Sequence, residues 1–388
     1  MRTALLTPLL IALSGLLPSC SEFGSYRLVT DGFRFDYGGS TALREESGPL
    51  PAGTRVVRVD HRFGDVDVAP RTEGEGPAWR WTVETWADEP EVAEELAREI
   101  ALVVEESEGA VTLRLDVPPA LRRELRGLRS TLEVRADGIA ALDLTNRHGD
   151  SRAQGVEGDA KLSVAHGDLE AADLAGRVTV EQRFGELDAS SLGPLDLSLE
   201  HGRVDVSSAG PVRSTTRHAS ARYRAIGGDL VVDSRHGDLE VVDAGHVTVE
   251  TAHGHMRIRG AHGARIEAEH GDVDLGLVAG EAQVDARHGS VDVVREALAS
   301  GEHGETRIEC THGRVRVDLA AGAHAHVRAR FADVLVRHAE DDAAALEASA
   351  SHGTVRSTMR RVNALAASAP GAIVHVEHGD VRTERLEQ

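Results

Sequence analysis

Ala165-His166-Gly167-Asp168-Leu169 is one copy of a short motif that recurs along this chain of 388 residues. Through the middle of the chain, successive copies are spaced 17 or 18 residues apart, some with Phe in place of His. A unit this short cannot bury its own apolar side, so it must stack on its neighbours. The spacing therefore predicts a solenoid.

The residues around each motif show which kind of solenoid to expect. Leu195, Leu197 and Leu199 alternate with polar residues, and Val204 and Val206 alternate again after a glycine turn. This is the pattern of two strands that each have one buried face. The fold class is therefore predicted to be all-β, a parallel β-solenoid of 17–18-residue rungs over residues 130–388. Wider motif spacing and helix-compatible segments predict insertions near 338–348 and 357–371.

A different module is predicted ahead of the repeats, at residues 53–129. It contains all three tryptophans, Trp79, Trp81 and Trp86, which we interpret as a cover for the apolar end of the solenoid. Asp88 and Glu91 have the spacing of a capping box, so a helix is expected near residues 89–100. Strands on both sides make this an α+β cap. Residues 20–52, rich in Gly, Ser and charge, are expected to form a tether.

The first residues have the layout of an export signal. Arg2 precedes a short apolar run, which ends in Leu17-Pro18-Ser19-Cys20. These four residues resemble a bacterial lipobox, which implies a lipoprotein signal peptide at residues 1–19 and lipidation of Cys20; an ordinary signal peptide is the alternative. We therefore expect attachment to a membrane through lipid. Ser21 and Glu22 lack the Asp that commonly retains lipoproteins at the inner membrane, so the outer membrane is the expected location in a two-membrane cell.

Charge and cysteine content exclude several classes of partner and site. The net charge of −21 repels nucleic acid, which is therefore not expected to bind. With only two cysteines there is no disulfide framework. Cys310 shares the parity of neighbouring apolar residues and is predicted to be a buried small side chain rather than a nucleophile.

Stacked coils would bring the recurring rings into one column. Imidazole is a common metal ligand, so such a column could hold Zn²⁺ or Cu²⁺, with help from the pairs His253/His255 and His324/His326. Phe184 shares the column, however, and a phenyl ring stacks but cannot ligate. A structural ring ladder with inward parity is therefore favoured, and no metal is assigned. Its members are His148, His166, Phe184, His201, His218, His236, His253, His270, His288 and His312.

No reaction-specific set of residues stands out along the repeats. The residue after the motif glycine varies among Asp, Glu, Arg, Ser and His, whereas a catalytic or calcium site needs carboxylates held in one place. The chain is therefore not expected to be an enzyme, and no cofactor is predicted.

The sequences Leu142-Asp143-Leu144-Thr145-Asn146-Arg147-His148-Gly149-Asp150 and Gly158-Asp159-Ala160-Lys161-Leu162-Ser163-Val164-Ala165-His166-Gly167-Asp168 resemble the putative adhesin family of bacterial β-solenoid domains. The resemblance covers roughly residues 55–388, with His where that family commonly has Ser or Asn. It implies a non-catalytic, lipid-anchored envelope protein that binds an unidentified protein or surface glycan, or that serves as a structural rod. The alternatives are a metal-binding protein using the imidazole column and a scaffold that polymerises end to end by self-association.

Overall fold

The computed structural model describes residues 39–119, 121, 126–276, 278–295, 304–320, 323–338, 345–361 and 371–386. The predicted signal peptide, Cys20 and most of the predicted tether lie outside these residues. The chain divides into two compact units. Among described residues, the first unit contains 39–44, 83–101 and parts of 116–129, and the second contains 45–82, 102–115 and nearly everything from 130 onward.

The first unit contains the helix α1 (Pro90–Glu99), which agrees with the expected position. The predicted capping box is wrong: Glu89 is the N-cap, and no side chain caps it. Pro90 at the first helical position, which has no N–H to satisfy, starts the helix instead. At the other end the Arg44 guanidinium donates to the carbonyl oxygens of Ala97 (3.1 Å) and Ile100 (3.0 Å). A cation there satisfies the last carbonyls of a helix and opposes its dipole.

The long regular elements of the described residues other than α1 are strands, so the predicted all-β class is confirmed. They are β1 (Ser40–Pro49), β2 (Val56–His61), β3 (Asp65–Ala69), β4 (Ala78–Ala87), β5 (Ala101–Ser107), β6 (Ala110–Asp116), β7 (Gly127–Arg135), β8 (Ala141–His148), β9 (Ser151–Val156), β10 (Asp159–His166), β11 (Leu169–Leu174), β12 (Val178–Leu192), β13 (Leu195–Ala209), β14 (Val212–Thr216), β15 (Ala219–Ile226), β16 (Leu230–His236), β17 (Leu239–His253), β18 (Met256–His270), β19 (Val273–Gly276), β20 (Ala282–Val294), β21 (Thr306–Leu319), β22 (His324–His338), β23 (Ala345–His352), β24 (Val355–Arg356), β25 (Arg360–Arg361), β26 (Gly371–His378) and β27 (Val381–Arg385).

The second unit stacks these strands in parallel, one coil over the next. Leu162 pairs with Val180, and Val180 pairs with Leu197, so equivalent positions of successive motifs lie in register. Along each strand, buried Val, Leu and Ala alternate with exposed polar residues, as the period-2 pattern requires. Each coil therefore contributes a thin apolar layer, which is buried only because the neighbouring coils cover it.

At both ends of this stack, the order of the coils differs from the order of the chain. Strands β2 and β3 lie between the coil of β8 and β9 and the strands β6 and β7, although β6 and β7 come later in the sequence. At the other end, β26 and β27 lie between β22 and the strands β23 and β24. Simple stacking in chain order, which the repeats suggest, is therefore wrong for these coils.

Two further expectations change. Part of the predicted tether is the strand β1, whose residues alternate between half-buried and exposed. The half-buried face of β1 carries the charged residue Arg44, so the alternation of burial cannot be recognised from hydropathy alone. Likewise, residues 345–348 of the first predicted insertion belong to β23, which pairs with β26. Alanine-rich sequence fits a helix locally, but here the in-register pairing prevails. Residues 339–344 and 362–370 lie outside the described part of the chain.

Candidate functional site

The motif glycine turns the backbone at one corner of each coil. Gly167 has φ of 136° and Gly202 has φ of 140°, values that residues with a Cβ rarely adopt. A Cβ atom at Gly167 would also overlap the carbonyl oxygen of Gly149 in the adjacent coil. Gly167 is therefore needed both for its conformation and for the close approach of two backbones, whereas Ala219 and Ala332 occupy the equivalent position in two other coils.

The ring that precedes each glycine stacks on the ring of the next coil. Fourteen rings form one continuous column, in which neighbouring centroids are 4.5 to 5.7 Å apart. Eleven of the thirteen contacts are nearly parallel, with interplanar angles from 2° to 17°. In spatial order, this ring ladder is Phe63, His148, His166, Phe184, His201, His218, His236, His253, His270, His288, His312, Phe331, His378 and His352.

The ring ladder faces solvent. Phe184 is 42% exposed and Phe331 is 47% exposed, and most of the imidazoles are exposed as well. The inward parity expected for these rings is therefore wrong. The last inward residue of the strand lies two positions earlier, as at buried Gln182. Because the backbone bends at the corner, the alternation of the strand stops there and the next ring points outward.

Partial burial and neighbouring cations disfavour the charged form of several imidazoles. Burial lowers the pKa of His148, and the charges of His166 and Arg147 lower it further. The pKa of His166 is lowered by burial and then by Arg183. Burial also lowers the pKa of His236, as do the charges of His253, His218 and Arg235. These surroundings therefore favour the neutral form of these three rings.

The residue after the motif glycine has a structural function that the sequence reasoning missed. The Asp168 carboxylate accepts a hydrogen bond from the backbone N–H of Glu186 at 2.8 Å, one coil further on. The Asp150 carboxylate accepts the N–H of Asp168 in the same way at 2.9 Å. The recurrence of Asp after His-Gly was the available signal. Equivalent bonds are made by Asp65, Asp238, Asp272, Asp333 and Asp380.

The parallel rings are poorly arranged for metal binding. An imidazole binds a metal ion through a nitrogen lone pair in the plane of its ring, so two parallel, stacked rings cannot direct lone pairs at one ion. His253 differs, because its ring is inclined by 65° to His236 and by 84° to His270. In the described residues, no group of three or more His, Cys, Asp or Glu side chains is arranged to hold a metal ion.

The other residues singled out from the sequence are separate from the ladder. His255 lies 3.4 Å from Asp272, and the His326 ring is 6.1 Å from that of His375. Cys310 is buried, and burial raises the pKa of its thiol to about 11. A thiol with this pKa is protonated at neutral pH and is not a nucleophile. No helix in the described residues is long and apolar enough to cross a membrane.

No protein-family model and no curated protein sequence matches the chain. Solved structures with partial similarity include a putative cell adhesion protein from Clostridium sporogenes, with 8% identity and a TM-score of 0.18, covering 89% of this chain and 100% of that chain. A putative adhesin from Bacteroides fragilis has 11% identity and a TM-score of 0.21, covering 88% and 97%. A putative lipid binding protein from Parabacteroides distasonis has 8% identity and a TM-score of 0.19, with the same coverage. At these TM-scores, the similarity carries no conclusion about fold or function.

Proposed function

We propose that the chain is a non-catalytic, lipid-anchored protein of the cell envelope that binds an extended partner along its ring ladder. The observation that carries the binding proposal is the exposure of the ladder. Fourteen rings, one per coil, form a continuous series of nearly equivalent positions at the surface of the second unit. A partner with its own linear repeat could contact many of these positions at once, and such multivalency raises affinity without any single strong contact.

The exposed rings are also energetically unfavourable in water unless a partner covers them. Phe184 and Phe331 present apolar area to water where a polar side chain would serve an outer surface. A purely structural column could bury its rings between coils, as the apolar residues on each strand are buried. An exposed aromatic series is the kind of surface that recognises a partner.

The anchoring proposal rests on the sequence Leu17-Pro18-Ser19-Cys20. In its bacterial host, the protein should incorporate a labelled fatty acid and fractionate with membranes, with the outer membrane as the proposed site. Cys20→Ser should abolish both, while Cys310→Ser, which changes the buried cysteine, should leave both unchanged. Labelling of the Cys20→Ser variant would contradict the proposed anchor.

The binding proposal is tested by crosslinking in the intact envelope. A photoreactive residue placed at Phe184, within the ladder, should capture a partner that the same residue placed at Leu43 does not. Leu43 is a suitable control because it is 72% exposed and does not belong to the ladder. Equal capture from both positions would contradict recognition by the ladder.

A further inference from the structure

An unpaired row of arginines runs beside one half of the ring ladder. Arg147, Arg183, Arg217 and Arg235 each occupy the position immediately before a ring, and all four are exposed. None of them makes an ion pair with another residue in the described part of the chain. We call these four arginines, together with His148, His166, His201, His218 and His236, the basic stripe.

The arginines on another face of the same coils behave differently. Arg222 forms an ion pair with Glu240 at 2.8 Å, and it also lies 3.9 Å from Asp205. Arg257 forms one with Asp274 at 3.1 Å. On that face these arginines are neutralised by carboxylates of the adjacent coils. In a chain of net charge −21, an exposed row of cations without such partners is unusual.

Some of the acidic residues next to the basic stripe are already engaged with the protein. The carboxylates of Asp150 and Asp168 accept backbone N–H groups of the following coil. Glu186 lies 3.8 Å from Arg203. The charged and titratable groups that flank the stripe are Asp65, Asp150, Asp168, Glu181, Glu186, Glu200, Arg203, Asp233, Asp238, His253 and His255. Glu200 occupies the position before a ring that Arg183 occupies in the adjacent coil.

Protonation of the rings decides the net charge of this surface. With neutral imidazoles, the flanking carboxylates outnumber the arginines. Each protonated imidazole adds one positive charge, and the five imidazoles of the stripe lie on consecutive coils except at Phe184. Histidine is the side chain whose charge changes between about pH 5 and about pH 8. Acid therefore makes the stripe more positive, against the burial and neighbouring cations that lower the pKa of His148, His166 and His236.

We propose that the basic stripe binds a linear acidic polysaccharide, and that protonation of its imidazoles strengthens this binding. The inference rests on the proposed function, for which it names the class of partner. The stripe is two residues wide and continues from coil to coil, so it fits a single extended chain that carries a charge at regular intervals.

Other polyanions fit the stripe less well. The phosphates on one strand of duplex DNA advance by about 3.4 Å along the helix axis. The ring centroids of the stripe are instead spaced 4.7 to 5.0 Å apart, so a rigid duplex would lose register with them. A bilayer surface would contact a broad face, whereas the stripe is only two residues wide.

The test measures binding of the purified full-length protein to polygalacturonate at about pH 8 and about pH 5.5, with far-UV circular dichroism to verify folding. We expect at least about tenfold tighter binding at the lower pH. The linear neutral polymer pullulan should not bind. A variant with His148→Phe, His166→Phe, His201→Phe, His218→Phe and His236→Phe should lose this gain. Phenylalanine keeps the stack, because Phe184 and Phe331 already occupy ladder positions.

Matched variants distinguish the effect of the ladder imidazoles on binding from the effects of the arginines and of histidines outside the ladder. His246→Phe with His262→Phe changes two exposed imidazoles outside the ladder and should keep the full gain. Replacing Arg147, Arg183, Arg217 and Arg235 with Gln should weaken binding at both pH values. If the fivefold Phe variant does not fold, His166→Phe with His201→Phe should still lose part of the gain.

Several results would overturn the inference. These are equal affinity of the wild type at the two pH values, an undiminished gain in the Phe variants, and tighter binding to inorganic polyphosphate or to phosphatidylglycerol vesicles than to polygalacturonate. Failure of the proposed function can be distinguished from failure of this inference. It appears as an absence of the fatty-acid labelling and membrane fractionation that should depend on Cys20. Membrane attachment without acid-enhanced polysaccharide binding would refute the inference alone.

Discussion

His61 should make the protein sensitive to acid, by an amount that the structure allows us to work out. The residue is fully buried in the second unit, inward of the ring ladder. Burial lowers its pKa from 6.5 to about 4, although nearby backbone groups at Ser130 and Phe63 and the charge of Asp65 partly oppose the change. The folded protein therefore strongly favours the neutral ring.

The direction and size of the change in stability with pH follow from the linkage between proton binding and folding. Between the unfolded pKa of 6.5 and the folded pKa of about 4, the unfolded chain binds more protons at this site. Stability from His61 is therefore fully present above pH 6.5 and is lost as the pH falls to about 4. One pKa unit corresponds to about 1.4 kcal/mol, so the loss by about pH 4 is about 3 kcal/mol.

Urea unfolding followed by circular dichroism at about pH 7.5 and about pH 4 tests this prediction. His61→Gln should remove the acid-sensitive part of the stability, and a glutamine is tolerated because Gln182 occupies the equivalent inward position three coils further on. The free energy of unfolding of the wild type should fall by about 3 kcal/mol more than that of the variant. His246→Gln, at an exposed imidazole, serves as the control. Equal pH dependence in wild type and His61→Gln would refute the reasoning.

Three further changes have defined outcomes. Gly167→Ala should lower the free energy of unfolding by at least about 3 kcal/mol, measured in urea, because the site combines a positive φ with a backbone overlap. Arg295→Met should cost a similar amount by the same measurement. This buried guanidinium donates to the carbonyls of Val278 (2.7 Å), Gly280 (2.6 Å) and Gly304 (2.6 Å), which would be left unsatisfied. In a calorimetric titration, Zn²⁺ should bind wild type and His253→Phe equally; weaker binding to the variant would instead assign a metal to the inclined ring.

The repeat made the coil and the stacking of the rings predictable. Equivalent positions must lie over one another once each motif makes one coil, so the spacing between His166, His201 and His236 was enough to bring them into one column. The glycine was predictable for a similar reason, because a recurring turn with positive φ has few alternatives.

The outward direction of the rings was not predictable from alternation. Parity assigns His201 to the same face as Leu199, but the rule holds only while the strand stays straight. The position of the bend depends on contacts with the adjacent coils. The function of Asp168 as an acceptor for the next coil also depends on tertiary register. From the sequence, the residue that follows the motif glycine showed only that its type varies from coil to coil.

The exchange of coil order at the far end of the stack constrains how the protein folds. The strands β23 and β24 come before β26 and β27 in the chain, yet they reach the rest of the stack only through them. During synthesis, residues 345–356 therefore leave the ribosome before the surface that supports them exists. The edge of β23 and β24 that pairs with β26 and β27 therefore stays unpaired until residues 371–385 have been synthesised and have folded. A nonsense mutation between the two segments would thus disable both coils at once, rather than shortening the stack by one.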